Sequence, residues 1–168
     1  DDTTLTVLIE LPENAAQDIQ APWVQWIDTV GQDLLQVEGV VGVGSITETS
    51  VLHGKDGELI ISPLLGTESV FKESFSERLQ LLSDSPLTRG RFFSQTMRIA
   101  LLTVKLEEIY QDPNLLKKPL EAIETLVNGH LGKHGINKVH FGGIPFIRHA
   151  TLGLMQTDVR LLFPISLL

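Results

Sequence analysis

Several short segments of the chain are rich in branched aliphatic residues and are bounded by turn-forming residues. This combination is typical of β-strands, because branched side chains pack well on a pleated surface whereas glycine and proline interrupt it. A turn signal at residues 53–57 also predicts a hairpin between the extended segments before and after it. Residues 99–102 are so evenly apolar that they predict a strand buried on both faces between parallel neighbours. The predicted strands are residues 5–11, 40–46, 58–63, 97–106 and 136–141.

Three other segments have apolar residues at every third or fourth position, which predicts amphipathic helices. The first begins at Pro22, a residue type favoured at the first helical position, and ends before Gly39. The second covers about Glu68 to Leu82, and the third runs from near Pro119 towards Gly135. The apolar stripes of the three helices are Trp23, Ile27, Val30 and Leu34; Phe71, Phe75, Leu79 and Leu82; and Leu120, Ile123, Val127 and Leu131.

The order strand, loop, helix, glycine, strand occurs twice, over residues 5–46 and 97–142. Two βαβ units with right-handed crossovers and parallel strands are therefore predicted. Side by side they form an α+β fold, a ferredoxin-like sheet of the split βαβ type with its helices on one face. The predicted divisions are the first unit with its hairpin (1–66), a helix and connecting loop (67–92), the second unit (93–148) and an amphipathic segment that leads into a membrane span (149–168).

The last eight residues, 161–168, are apolar except for Pro164 and Ser166. A helix that crosses a bilayer needs roughly 20 apolar residues, so this run is interpreted as the beginning of a span. The first residues, Asp1-Asp2-Thr3-Thr4, have no initiator methionine and no signal-peptide pattern. Both ends therefore predict that the chain is part of a longer protein.

The charge balance narrows the classes of partner. The chain has 21 acidic and 13 basic residues, a net charge of −8, and no long cluster of lysine or arginine, so nucleic acid is not an expected partner. At 42% hydrophobic and 20% charged residues the chain should fold around a core. It contains no cysteine, which excludes disulfides and a thiol nucleophile but fits both the cytosol and the periplasm.

Three features in a fixed order carry a resemblance to a known family. An aspartate-containing segment enters the first strand at residues 1–5, a glycine-bearing strand at 40–46 ends the first unit, and Gly143-Ile144-Pro145 precedes an amphipathic stretch with an acidic residue at 155–164. Together they resemble the extracytoplasmic loop of a resistance-nodulation-division (RND) superfamily exporter, of the hydrophobe-exporter or MMPL-like branch. The resemblance covers nearly the whole chain. Ser94-Gln95-Thr96 departs from it, since family members often have an Asp-Gly turn there.

The resemblance implies a periplasmic or extracellular domain of a proton-driven exporter in the inner (cytoplasmic) membrane. Its expected task is to bind and pass on hydrophobic or lipid-like molecules beside a second loop domain of the same transporter, with an oligomer possible. The proton relay would use ionisable groups in membrane helices, so no catalytic residue and no cofactor is expected in this chain.

Two sets of residues are candidate functional sites. Trp26, at the edge of its helix stripe, and Phe71 and Phe75, which also suit a core, are candidate cargo contacts. The second set would lie where the domain meets the membrane. Glycine permits unusual backbone angles and proline fixes one, so three of its members should set the exit angle, while two charged residues are either a gate or the water-facing start of a helix. The members are Gly142, Gly143, Pro145, Asp158 and Arg160.

Two alternatives belong to other classes of protein. One is a free-standing ferredoxin-like module that binds a ligand or docks a partner. The other is a metal-dependent enzyme, since His130 and His134 have a spacing that suits zinc and His140 follows on the next strand. The glutamate of a metalloprotease helix is absent between them, and a helix C-terminus favours partly cationic groups, so no metal site is expected.

Overall fold

The structure is a computed structural model of the 168-residue chain. It describes residues 2–13, 15, 22–48, 50–55, 58–63, 91–94, 96 and 98–165. The strands are β1 (Thr4–Glu10), β2 (Val40–Gly44), β3 (Ser50–Lys55), β4 (Glu58–Pro63), β5 (Ile99–Leu106) and β6 (Val139–Gly143). The helices are α1 (Pro22–Leu34), α2 (Lys117–Gly129) and α3 (Ile144–Ile165), and two short 3-10 turns cover Ile46–Glu48 and Glu108–Gln111.

Four strands form one sheet in the order β2-β5-β1-β6, and every neighbouring pair is antiparallel. The longest pairing joins β1 to β5, from Thr4 opposite Lys105 to Glu10 opposite Ile99. Strands β3 and β4 form a separate antiparallel hairpin. The chain is therefore an α+β protein with a four-stranded antiparallel sheet and three helices in its described part, an arrangement compatible with a ferredoxin-like fold.

The prediction that β5 has parallel neighbours and two buried faces is wrong. Both of its neighbours, β1 and β2, run antiparallel to it. Its side chains alternate between the two faces of the sheet, as in any strand. The face that carries Ile99 and Lys105 is exposed or half-buried, and Ile99 is 38% exposed. The buried face carries Ala100, Leu102, Val104 and Leu106.

One hydrophobic core lies between the sheet and helices α1 and α2. The whole predicted stripe of α1 is buried, and so are Leu120, Ile123 and Val127 of α2. Leu131, which the same pattern placed on the third predicted helix, is only partly buried because α2 ends at Gly129. The chain then turns through three residues of positive φ, which a helix cannot include: Gly132, His134 and Gly135.

The other predicted elements have different outcomes. A hairpin is present at the predicted turn, but its first strand is Ser50–Lys55 and not residues 40–46, of which Val40–Gly44 form β2 of the larger sheet. A 3-10 turn at Ile46–Glu48 separates these two strands. The predicted second helix and the division between residues 66 and 67 lie outside the described residues.

Candidate functional site

Strand β6 passes directly into helix α3, because β6 ends at Gly143 and α3 begins at Ile144. Gly143 has a φ of 107°, and a Cβ atom there would lie 2.9 Å from the carbonyl oxygen of Thr4 and 3.0 Å from Cα of Leu5. Only glycine tolerates both the backbone angle and this approach to β1. Pro145 follows in the first turn of α3, where a missing N–H costs nothing, and it is buried. These residues fix the direction in which α3 leaves the sheet.

The first turns of α3 are held against the sheet by one ion pair and one aromatic contact. Nη2 of Arg148 donates to Oδ2 of Asp2 at 2.6 Å. The rings of Phe141 on β6 and Phe146 on α3 lie 5.6 Å apart between centroids. From residue 153 to residue 158, by contrast, every side chain of α3 is exposed. The helix is therefore anchored at its beginning and extends away from the domain.

Large apolar side chains on α3 face solvent. Their spacings of three, seven and one residues place them on one side of the helix. Thr151 lies on the same side, and its hydroxyl donates to the carbonyl oxygen of Ile147 at 2.8 Å, so it does not depend on water. We call the four apolar residues the α3 stripe: Ile144 (38% exposed), Ile147 (67%), Leu154 (68%) and Met155 (61%).

The two predicted boundary residues also belong to α3. Asp158 is exposed, one helical turn after Leu154, and the backbone of Arg160 continues the helix. Their position at a membrane boundary stays a prediction. None of the helices in the described part of the chain combines the length and the hydropathy that crossing a bilayer requires.

Trp26 does not line an exposed groove, contrary to the role considered for it. Its side chain is 1% exposed, and its indole Nε1 donates to the main-chain carbonyl oxygen of His130 at 2.8 Å. The end of α2 therefore covers the edge of the α1 stripe. Periodicity within α1 alone could not reveal a neighbour 104 residues further along the chain. Phe71 and Phe75, the other two candidate cargo contacts, lie outside the described residues.

The three histidines have different environments. Nε2 of His130 is 3.0 Å from Oδ2 of Asp33, whereas Nε2 of His140 is 2.9 Å from Oε1 of Glu10. His134 is exposed in the turn after α2. Among the residues that the structure describes, no three histidine or carboxylate side chains converge in a way that could hold a metal ion.

Glu10 accepts two hydrogen bonds, from Nζ of Lys138 at 2.8 Å and from Nε2 of His140 at 2.9 Å. Lys138 has the larger effect, and together they hold the pKa of the Glu10 carboxyl below its ordinary value of 4.5. A carboxyl whose pKa is lowered by folding stabilises the folded state above its unfolded pKa, and this contribution is lost as the pH falls through the folded pKa.

We therefore expect Glu10→Gln to lower the melting temperature at neutral pH and to have no effect in strong acid. Thermal unfolding of both proteins between about pH 7 and about pH 2 measures this difference. Glu124→Gln is the control, because Glu124 forms no ion pair with the other described residues. A difference between wild type and Glu10→Gln that persisted unchanged into strong acid would contradict the assignment.

A surface groove of about 400 Å³ lies between the 3-10 turn at Glu108–Gln111 and the first turn of α2. Sequence reasoning missed this groove. Its only signal was the pair of aliphatic residues, Ile109 and Leu115, that fit neither a strand nor a helix stripe. The residues that line the groove are Ile109, Tyr110, Asn114, Leu115, Lys117, Lys118 and Glu121.

The rim of the groove carries both signs of charge. Nζ of Lys118 is 2.6 Å from Oε2 of Glu38, and this hydrogen bond raises the pKa of Lys118 and lowers that of Glu38. Nζ of Lys117 is 3.9 Å from Oε1 of Glu121, which is the outer limit of an ion pair. Lys117 is therefore the less compensated of the two ammonium groups.

Comparison with known proteins identifies no relative: the sequence matches no protein-family model and no curated protein.

Proposed function

We propose that this chain is the extracytoplasmic domain of a proton-driven, RND-type membrane exporter, and that it binds and passes on hydrophobic or lipid-like molecules. The junction of β6 with α3 is the observation that carries the proposal. A strand of the central sheet enters a helix without a loop, and that helix leaves the domain with its apolar α3 stripe exposed. Exposed apolar surface of this kind marks contact with a membrane or with another protein.

The sheet supports the same proposal. Strands β1 and β2 run in the same direction with β5 between them, and β5 and β6 run in the same direction with β1 between them. We assign this order to the split βαβ, ferredoxin-like arrangement that the resemblance to porter-type loops implies. In this assignment α1 and α2 are the two crossover helices.

In the proposed arrangement the chain lies on the periplasmic or extracellular side of the cytoplasmic membrane. The α3 stripe continues towards the lipid, and Asp158 and Arg160 lie near the boundary between water and lipid, where long basic side chains can reach the head groups. A second loop domain of the same transporter is the proposed neighbour, and hydrophobic molecules pass between the two domains.

The groove beside α2 is the observation that supports a second candidate, a free-standing ligand-binding or partner-docking module. Pockets for small molecules are commonly about 300–1,000 Å³ and have mainly apolar walls, and the groove has about 400 Å³ with exposed Ile109 and Leu115. The groove is also compatible with the exporter, so it does not separate the two candidates.

An antibody raised against the chain separates them, used on soluble and membrane fractions of the source cells. The exporter predicts a membrane-bound polypeptide several times heavier than 18.6 kDa. It also predicts that protease added to intact spheroplasts digests the epitope, whereas a cytoplasmic control protein in the same sample stays intact. A soluble polypeptide near 18.6 kDa would overturn the exporter proposal in favour of the free-standing module.

A further inference from the structure

Apolar side chains line part of the groove beside α2. Ile109 is 61% exposed and Leu115 is 42% exposed, and both lie next to Tyr110 in the same depression. Single exposed aliphatic residues are ordinary on a protein surface, but adjacent ones in a concave site are typical of ligand contact. The volume of the groove, about 400 Å³, lies within the range of small-molecule pockets, about 300–1,000 Å³.

One wall of this groove is held in place by contacts within the chain. The ring of Tyr110 lies against Gly39, where a Cβ atom would be only 2.3 Å from Cε2 of the ring. The N–H of Glu107 donates to the carbonyl oxygen of Gly39 at 2.9 Å. This bond ties the start of the 3-10 turn to the segment between α1 and β2. A preformed wall lowers the conformational cost of binding.

The rim departs from ordinary helix electrostatics. Lys117 and Lys118 occupy the first two positions of α2, at the positive end of the helix dipole, where acidic residues are favoured. The first turn of α2 has no acidic residue, and Leu116 before it provides no side-chain cap. Glu38 neutralises Lys118, whereas the side chain of Lys117 is 69% exposed and only loosely paired. A helix start with basic residues and no side-chain cap, next to exposed apolar residues, is the kind of departure from local preference that is expected at a functional site.

We infer that this groove binds one single-chain lipid with an anionic head group. Ile109 and Leu115 contact the alkyl chain, and Nζ of Lys117 binds the head group. The carboxylate of Glu121 lies 3.9 Å from this nitrogen and competes with the head group for it. The inference rests on the proposed function for the role of the lipid as cargo, but the binding itself does not require that the chain belong to an exporter.

Amide NMR spectra of the chain, titrated with three surfactants below their micelle concentrations, test the inference. The surfactants share a dodecyl tail and differ in the head group: dodecyl phosphate, dodecyl maltoside and dodecyltrimethylammonium. We expect saturable shifts with dodecyl phosphate, confined to the lining of the groove, and affinity about tenfold weaker for the uncharged head group, because a charge-assisted hydrogen bond is lost.

Substitutions with matched controls complete the test. Lys117→Glu should weaken the binding of dodecyl phosphate about tenfold, whereas Lys133→Glu, the same change at an exposed lysine in the turn after α2, should leave it unchanged. Glu121→Gln should strengthen it, since the competing carboxylate is removed. Ile109→Ser should weaken all three surfactants, and Val41→Ser, at a valine 54% exposed on β2, should not.

Equal affinity for the three head groups would overturn the inference, and so would shifts spread over the whole chain or equal effects of Lys117→Glu and Lys133→Glu. These outcomes are independent of the exporter proposal. A soluble 18.6 kDa polypeptide that binds dodecyl phosphate in this groove would contradict the exporter and uphold the lipid site. A membrane-bound parent protein whose loop shows no such binding would support the exporter and contradict the lipid site.

Discussion

Gly143→Ala should destabilise the domain by about 3 kcal/mol, because a non-glycine residue at positive φ and a forced backbone displacement each cost of the order of 1–3 kcal/mol. The added methyl group would meet the carbonyl oxygen of Thr4 at 2.9 Å and Cα of Leu5 at 3.0 Å. Both are main-chain atoms of β1, which is the strand at the centre of the pairings with β5 and β6. Neither can move away without disturbing these pairings.

Gly142→Ala is the matched control for this substitution. Gly142 is the preceding residue of the same strand, yet a Cβ atom there has no neighbour within 4 Å and its φ is not in the left-handed region. Urea unfolding of the two variants and the wild type should therefore show a change within about 0.5 kcal/mol for Gly142→Ala and the large loss only for Gly143→Ala. Similar losses for both glycines would contradict the close approach of β6 to β1.

The contrast between these two glycines shows how far the sequence could be interpreted. The adjacent pair Gly142-Gly143 and Pro145 indicated an unusual backbone after the last strand, and Gly143 has a positive φ where β6 passes into α3. Which glycine is obligatory was not predictable, because it depends on the position of β1, some 138 residues earlier in the pairing of Leu5 with Gly143. Local composition shows that a backbone is unusual but does not identify the atoms it approaches.

The same limit applies to the sheet. The four stripe residues of α1 followed from spacing within one helix, and they are buried as expected, whereas the burial of Trp26 beside the stripe did not follow. The direction of the neighbours of β5 did not follow, since an apolar run is equally typical of a parallel strand and of an antiparallel strand with a half-buried outer face. The outer face of β5 includes Thr103, whose hydroxyl donates to the carbonyl oxygen of Gly44 on β2 at 3.1 Å. That contact exists only because β2 and β5 pair across 59 residues of sequence.

The candidate site was predictable in part for a related reason. Gly142, Gly143 and Pro145 lie close together in the chain, so their unusual backbone preferences are visible in a short segment. The groove joins the 3-10 turn at Glu108–Gln111 to the start of α2, and Lys118 at its rim pairs with Glu38, which precedes β2. No periodic pattern links these segments. The aliphatic residues Ile109 and Leu115, which lie outside the predicted elements, were the one usable signal.

Trp26→Ala should destabilise the domain by about 4 kcal/mol, since truncating a buried tryptophan typically costs about 3–5 kcal/mol through lost burial and the cavity left behind. Trp26 is among the largest fully buried side chains, at 1% exposure. Its indole also ties α1 to the end of α2 through the bond to the carbonyl oxygen of His130. Trp26→Phe keeps most of the apolar area and removes this donor, so it should cost only about 1–2 kcal/mol.

The two substitutions at Trp26 together distinguish a core residue from a cargo contact. Urea unfolding measures the loss of stability, and the dodecyl phosphate titration measures binding by the folded fraction. A core role predicts large losses of stability in the order Ala above Phe, with the affinity for surfactant unchanged, because the groove beside α2 does not include Trp26. Val41→Ala, at an exposed apolar position, should change stability by less than about 0.5 kcal/mol. The opposite result would be a Trp26→Ala variant that keeps native stability but binds the surfactant more weakly. It would identify Trp26 as a cargo contact and show that α2 does not cover it in solution.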